Sequence, residues 1–88
     1  NETIFDFFVF PNPASNVANV QFYLSQIQDD MNITLHNLVG KKIRDIYSGR
    51  MYAGAKELAV DVSTLSAGIY FVTISNSTRK VVQRFVVE

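Results

Sequence analysis

Apolar and polar residues alternate along most of this 88-residue chain with the two-residue period of β-strands. Val20, Phe22 and Leu24, for example, alternate with Gln21 and Tyr23. No segment shows a sustained helical period, and turn signals separate the alternating runs. The sequence therefore predicts an all-β fold, a seven-stranded antiparallel β-sandwich with Ig-like connections. The predicted strands span residues 4–10, 17–24, 32–36, 41–47, 57–62, 69–75 and 80–87.

Turn-forming residues lie between these predicted strands. Pro11-Asn12-Pro13 ends the first strand, because proline has no backbone N–H for a ladder hydrogen bond. Asn37-Leu38-Val39-Gly40 predicts a tight hairpin in which Gly40 takes the left-handed conformation of a bulge. Residues 26–30 are predicted to form a turn, and residues 48–55 a loop.

A tyrosine stands at the start of the most apolar predicted strand. Tyr70 follows Gly68 by two residues, which resembles a tyrosine corner, where the phenol hydroxyl bonds to backbone a few residues upstream. We expect Gly68 to supply either a backbone angle closed to bulkier residues or a close approach of two chain segments. Leu65 is expected to close the end of the core.

The composition indicates one globular domain over residues 1–88. Hydrophobic residues make up 48% of the chain, and charged residues make up 18%. Cysteine is absent, so neither disulfides nor thiolate metal sites hold the fold. No apolar run approaches the roughly 18 residues of a membrane-spanning helix, so no transmembrane segment is predicted.

The charge is balanced overall but unevenly distributed. A net charge of zero argues against nucleic acid as a partner. Residues 1–30 contain four acidic and no basic residues, whereas residues 31–88 contain eight basic and four acidic ones. Two interpretations fit this asymmetry: an acidic N-terminal strand lying near basic strands of the same sandwich, or a basic docking face.

The residue types that carry catalysis or bind metals do not form a recognisable site. His36 has no Cys partner and falls on a polar strand face, so we expect a surface histidine. Asp29, Asp30 and Asn32 fit either a plain turn or a weak calcium site without the EF-hand pattern. No glycine-rich loop opens a helix to hold a phosphate. The sequence predicts no enzyme activity, catalytic residue, metal or cofactor.

Three segments followed by a short strand occur in a fixed order along the chain. Residues 10–16 contain the two prolines, residues 35–41 contain the predicted hairpin, and residues 61–72 contain the predicted corner. The short strand comprises residues 83–87. Together they resemble the type A C-terminal sorting domain of the Bacteroidetes type IX (Por) secretion system. The resemblance covers roughly residues 8–88.

The resemblance implies a secretion signal for an upstream cargo protein, with the type IX machinery and a sortase-like peptidase as partners. The cargo would pass through the periplasm, cross the outer membrane, lose the signal and become attached at the cell surface or outside the cell. The closing strand of the family often carries lysines near its end, where this chain has Arg84 and Glu88. Carried over by position, the motif falls on Pro11, Asn12, Pro13, Gly40, Lys41, Gly68, Tyr70, Arg84 and Phe85.

Two further hypotheses concern strand edges. Residues 80–87 are expected to lie at a sheet edge and to offer their backbone to a component of the machinery. The apolar run Ile4–Phe10 is expected to allow strand-mediated self-association.

Other functions compete with secretion sorting. An Ig-like accessory module for adhesion or carbohydrate binding would use exposed aromatic residues such as Tyr23, Tyr47 and Tyr52, although strand aromatics at alternating positions more often serve packing or cross-strand pairing. A spacer between domains is the third alternative.

Overall fold

The chain folds into two antiparallel β-sheets, which confirms the predicted all-β sandwich. A computed structural model describes residues 3–88 and contains no helix in that range. One sheet has the strand order β1-β2-β5, and the other has the order β4-β3-β6-β7. This seven-stranded arrangement is consistent with an Ig-like sandwich. The strands are β1 (Ile4–Phe10), β2 (Val17–Leu24), β3 (Gln28–Asn37), β4 (Lys42–Met51), β5 (Gly54–Asp61), β6 (Gly68–Ser75) and β7 (Lys80–Val87).

The third and fourth strands are longer than predicted. The expected turn at residues 26–30 overlaps the start of β3, and the expected loop at residues 48–55 is mostly strand. Asp29 and Asp30 lie in a bulge, since Gln28 pairs with Met51 and Met31 pairs with Gly49. A bulge accommodates polar and glycine residues without ending the strand, so these residues were mistaken for turn signals.

The core lies between the sheets and follows the alternation in the sequence. Val20, Phe22 and Leu24 of β2 are buried, as their spacing predicted. Phe22 and Phe85, from opposite sheets, are the largest fully buried side chains. Burial of one such side chain stabilises a fold by about 1.5–3 kcal/mol. Because the two phenylalanines come from opposite sheets, the core holds the sheets together.

The first strand is irregular and aromatic on its outer side. Its pairing with β2 shifts register between Phe5 and Phe8, and Asp6 has a φ of 52°. After this bulge Phe8 and Phe10 are both exposed, with buried Val9 between them. The outer face of the three-stranded sheet therefore carries an aromatic surface along β1.

No helix in the described part of the chain, residues 3–88, has the length and apolar character needed to cross a membrane.

The burial of Phe22 gives the first testable prediction. Phe22→Ala is expected to lower the free energy of unfolding by about 3–5 kcal/mol, because the sheets cannot fully collapse into the cavity left behind. Phe8→Ala removes the same side chain from a position that is 56% exposed, and it is expected to cost less than about 1 kcal/mol. Urea unfolding of both variants measures the difference. Equal losses would contradict the placement of the two residues.

Candidate functional site

Four segments that are far apart in sequence meet at one end of the four-stranded sheet. The register connects three of them directly: Asn37 lies opposite Tyr70, Tyr70 opposite Phe85, and Gly68 opposite Val87. The fourth joins through a parallel bridge between Ala14 and Val87. We call this region the motif end. It comprises residues 11–14, 37–41, 68–70 and 85–88.

The segment Pro11–Ala14 pairs with the end of the last strand. The Val86 N–H donates to Asn12 Oδ1 at 3.0 Å. The Ala14 N–H donates to the Val86 carbonyl at 2.8 Å, and the Glu88 N–H donates to the Ala14 carbonyl at 2.9 Å. We call Pro11–Ala14 the clasp, because it covers the otherwise open edge of β7 at this end.

The two prolines end β1, as predicted, but the clasp that contains them was not predicted. Both prolines are exposed, and both preceding peptide bonds are cis. Proline offers no backbone N–H, so the Asn12 side chain and the Ala14 backbone make the hydrogen bonds that join the clasp to Val86 and Glu88. Because the partner residues stand 74 positions further along, no local pattern could have indicated this pairing.

The hairpin between β3 and β4 has the predicted geometry. The Gly40 N–H donates to the Asn37 carbonyl at 3.0 Å, and Gly40 has a φ of 89°. Asn37 Oδ1 accepts the backbone N–H groups of Val39 at 3.1 Å and Lys41 at 2.9 Å. A residue with a side chain is strained at this φ, so Gly40 is explained by the turn alone.

His36 is held by local contacts beside this hairpin. Its Nε2 lies 2.9 Å from Thr34 Oγ1, and its Nδ1 lies 3.3 Å from the Gly40 carbonyl. The side chain is half-buried on the outer face of the four-stranded sheet. Within residues 3–88, no group of His, Cys, Asp and Glu side chains is arranged to hold a metal ion.

The tyrosine corner is confirmed. Tyr70 Oη donates to the Ser66 carbonyl at 2.7 Å, and the ring is only 8% exposed. Leu65 packs against the core at this corner, as expected. Gly68 has a φ of 158°, and no neighbouring atom lies within 4 Å of the place that a Cβ would occupy. The explanation by close approach of two segments is therefore wrong for Gly68.

A shallow cavity of about 260 Å³ lies between the hairpin and the corner. Its rim carries two apolar side chains, since Leu38 is 63% exposed and Val39 is 86% exposed. Exposed apolar residues beside a concave surface are typical of interaction sites. The lining residues are Asn37, Leu38, Val39, Ala67, Gly68, Ile69 and Tyr70.

The predicted site residues divide by exposure. Tyr70 and Phe85 are buried, with ring centroids 6.1 Å apart, and therefore support the core. Arg84 is exposed on the outer face, one residue before the motif end. A partner can reach only the exposed members of the predicted set, namely Pro11, Asn12, Pro13, Gly40, Lys41 and Arg84.

A second link joins the sheets at the same end, along the opposite edge of the sandwich. Arg44 Nη1 of β4 donates to the Asp61 carbonyl of β5 at 2.6 Å. The pKa of the Asp61 carboxyl is lowered, chiefly because the Ser63 hydroxyl and backbone N–H donate to it, with a smaller effect of the Arg44 charge. These contacts anchor the turn that follows β5.

The residues of the other predicted sites are explained by packing and local bonds. Asp29 accepts from Arg50 Nε at 3.0 Å, and Asn32 Oδ1 accepts from the Ser48 hydroxyl at 3.2 Å. Tyr23 forms a cross-strand ring pair with Phe5 at 6.4 Å. Tyr23 and Tyr47 lie on different sheets, so they share no aromatic surface. The Tyr47 hydroxyl donates to the Arg50 carbonyl. Tyr52 is exposed between β4 and β5.

A family described as secretion system C-terminal sorting domain matches residues 8–88, which is nearly the whole chain. No curated protein matches the sequence.

The clasp gives the second prediction. Asn12→Ala removes the acceptor of the Val86 N–H and is expected to cost about 1–2 kcal/mol of unfolding free energy. Amide exchange at Val86 is expected to accelerate, since its bond to the clasp is lost. Asn12→Asp keeps an oxygen acceptor and serves as the control. Equal exchange at Val86 in both variants would contradict the role of the Asn12 side chain.

The tyrosine corner gives the third prediction. Tyr70→Phe keeps the ring but leaves the Ser66 carbonyl without its donor, so it is expected to lower the unfolding free energy by about 1–1.5 kcal/mol. Tyr23→Phe deletes a hydroxyl from an exposed residue, and it is expected to change stability by less than about 0.5 kcal/mol. Thermal and urea unfolding compare the pair. If Tyr70→Phe has the unfolding free energy of the wild type, the corner hydrogen bond contributes nothing to stability.

Proposed function

The chain belongs to the family of secretion system C-terminal sorting domains, and we propose that the export machinery recognises it as a folded label at the motif end. Membership in this family makes the domain a sorting signal of type IX secretion. It also implies export across the outer membrane, to the cell surface or the extracellular space, and contact with the secretion machinery.

One observation supports recognition of the folded state. The clasp, the hairpin and the corner stand at three separate places in the sequence, and the fold brings them to the same end of one sheet. An unfolded chain does not present this combined surface. A receptor that contacts two of these segments at once therefore distinguishes a folded domain from an unfolded one.

The exposed tip of the hairpin is the part of the motif end that we propose as the contact. Leu38 and Val39 project beside the cavity, and Lys41 follows them without an ion pair among the described residues. Binding an apolar partner group there releases water from both surfaces, which is the main driving force for association. The buried residues Tyr70 and Phe85 act indirectly, by fixing the sheet on which the tip stands.

We further propose the steps that the resemblance implies around export. A cargo protein lies upstream of residues 1–88 in the same chain and passes through the periplasm. A sortase-like peptidase then removes the domain, and the cargo becomes attached to the cell surface. The domain contributes binding and performs no catalysis of its own. Recovery of the cargo without its sorting domain is the observation that tests the peptidase step.

A second function rests on the aromatic surface of β1. Phe8 and Phe10 are exposed on one face, and aromatic rings of this kind also serve carbohydrate binding in accessory modules. Measurable affinity of the isolated domain for a polysaccharide panel, lost in Phe8→Ala, would favour this alternative.

Self-association through Ile4–Phe10 is less favoured than the sequence suggested. The bulge between Phe5 and Phe8 interrupts the regular spacing of backbone groups along β1. Bulges of this kind protect edge strands from pairing with other chains.

The fourth prediction tests recognition at the motif end. A reporter fused ahead of residues 1–88 is expected to be exported by a host with a type IX system. Leu38→Ser combined with Val39→Ser is expected to reduce export about tenfold, as a loss of about 1.4 kcal/mol of binding would do. Ile27→Ser removes an exposed apolar residue from the turn between β2 and β3, at the opposite end, and is the matched control.

Unfolding measurements on the purified domains accompany this assay. If the double variant is folded and exported like the wild type, the hairpin tip is not the contact. If the wild-type fusion stays in the cell, residues 1–88 do not act as a sorting signal in that host.

A further inference from the structure

The last strand is an edge strand that is covered along only part of its length. β7 pairs with β6 on one side without a register shift. On its other side the clasp bonds to Val86 and Glu88. Alternate residues of an antiparallel strand direct both of their backbone groups to the same side. Val86 faces the clasp, so the backbone groups of Lys80, Val82 and Arg84 point to the same side of β7. The clasp does not reach these three residues, and the edge is open there.

These outward groups have few partners among the described residues. The Arg84 carbonyl accepts a 3.4 Å bond from the Gln83 side-chain amide. Among residues 3–88, no group accepts a hydrogen bond from the outward N–H groups of Val82 and Arg84. Such a row of unpaired groups is a template for strand addition. The strand addition expected from the sequence is therefore restricted to residues 80–84.

The side chains beside this open edge alternate between cationic and apolar. Lys80, Val82 and Arg84 project to the outer face of the sheet, and Val82 is 51% exposed. Val82 and Lys80 also line a cavity of about 250 Å³ that reaches across to Phe71 and His36. An incoming strand therefore meets one apolar position between two positive charges.

The wider charge distribution favours an acidic partner. The β3–β4 and β6–β7 hairpins together carry seven basic and three acidic residues, a net charge of +4. Lys42 and Arg50 are paired with Asp45 and Asp29. Lys80 and Arg84 form no ion pair among residues 3–88. Their charges are therefore available to a partner.

A second copy of this chain does not fit this edge. Antiparallel pairing of two β7 strands about Val82 places Lys80 of one copy beside Arg84 of the other. Like charges directly opposite each other destabilise a strand pair. Cations on an edge strand thus discourage self-pairing and still admit a strand of opposite charge.

We propose that residues 80–84 bind an extended acidic segment of an export-machinery protein, which adds to the four-stranded sheet as a fifth strand. The segment has the pattern acidic, any, apolar, any, acidic, so that its carboxylates lie beside Lys80 and Arg84 and its apolar side chain packs on Val82. The proposal rests on the function proposed above and names the chemistry of the partner. Strand addition provides main-chain bonds, while the alternate side chains select the partner.

Export of the reporter fusion tests the proposal with two variants that act differently. Val82→Pro removes an outward N–H that makes no bond to β6, so it blocks strand addition while leaving the ladder intact. Lys80→Glu combined with Arg84→Glu reverses the charges without changing the backbone. Both variants are expected to reduce export about tenfold or more. Val82→Thr retains the N–H and is the backbone control.

Lys56→Glu, made on β5 in the other sheet, is the control for charge reversal, and unfolding measurements confirm that each variant is folded. Export of both test variants at the wild-type level would overturn the proposal. Loss of export in the charge variant but not in Val82→Pro would also overturn the proposal. That result would indicate binding of an anionic glycan or lipid, which needs no free strand edge. If Val82→Pro does not fold, wild-type export of the charge variant still refutes the proposal. If the wild-type fusion itself is not exported, the result refutes the sorting function rather than the strand-addition proposal.

Discussion

The hydrogen bonds between the clasp and the end of β7 hold the rest of the motif end in place. Phe85 and Val87 are buried, and they stay so only while the end of β7 remains in the sheet. The bonds from Asn12 and Ala14 to Val86 and Glu88 fix that end against the segment that follows β1. The ring of Tyr70 packs beside Phe85, and Asn37 at the hairpin lies opposite Tyr70. The clasp and the hairpin are therefore connected structurally through β7 and β6.

The sequence predicted the features that depend on neighbouring residues. The alternation in β2 indicated its buried face, and the spacing of Gly68 and Tyr70 indicated a hydroxyl bond to upstream backbone, which the Ser66 carbonyl accepts. The hairpin at Asn37 was equally readable, because Asn and Gly have defined places in such turns. Each of these features is set by contacts between residues a few positions apart or by a fixed period.

What the sequence did not reveal depends on distant pairing. The bulge at Asp29 looks like a turn until the partner strand is known, since its polar residues are tolerated only through the register with β4. Asn12 gave no sign that its side chain would bond to Val86. Likewise, the sequence placed residues 80–87 at an edge but did not show that the clasp covers one end. Burial divided the candidate residues further, since Tyr70 and Phe85 support the core while Lys41 and Arg84 face solvent.

The partial closure of β7 explains how one small domain satisfies two opposing requirements. A fully open edge eight residues long invites pairing with any exposed strand, whereas a fully covered edge has no backbone to offer. The clasp leaves residues 80–84 open, a length of about 17 Å at the usual rise of a strand. Within that length the cations at Lys80 and Arg84 oppose pairing with another copy. The covered part stabilises the fold and limits the register of an added strand, so stability and selectivity come from the same contact.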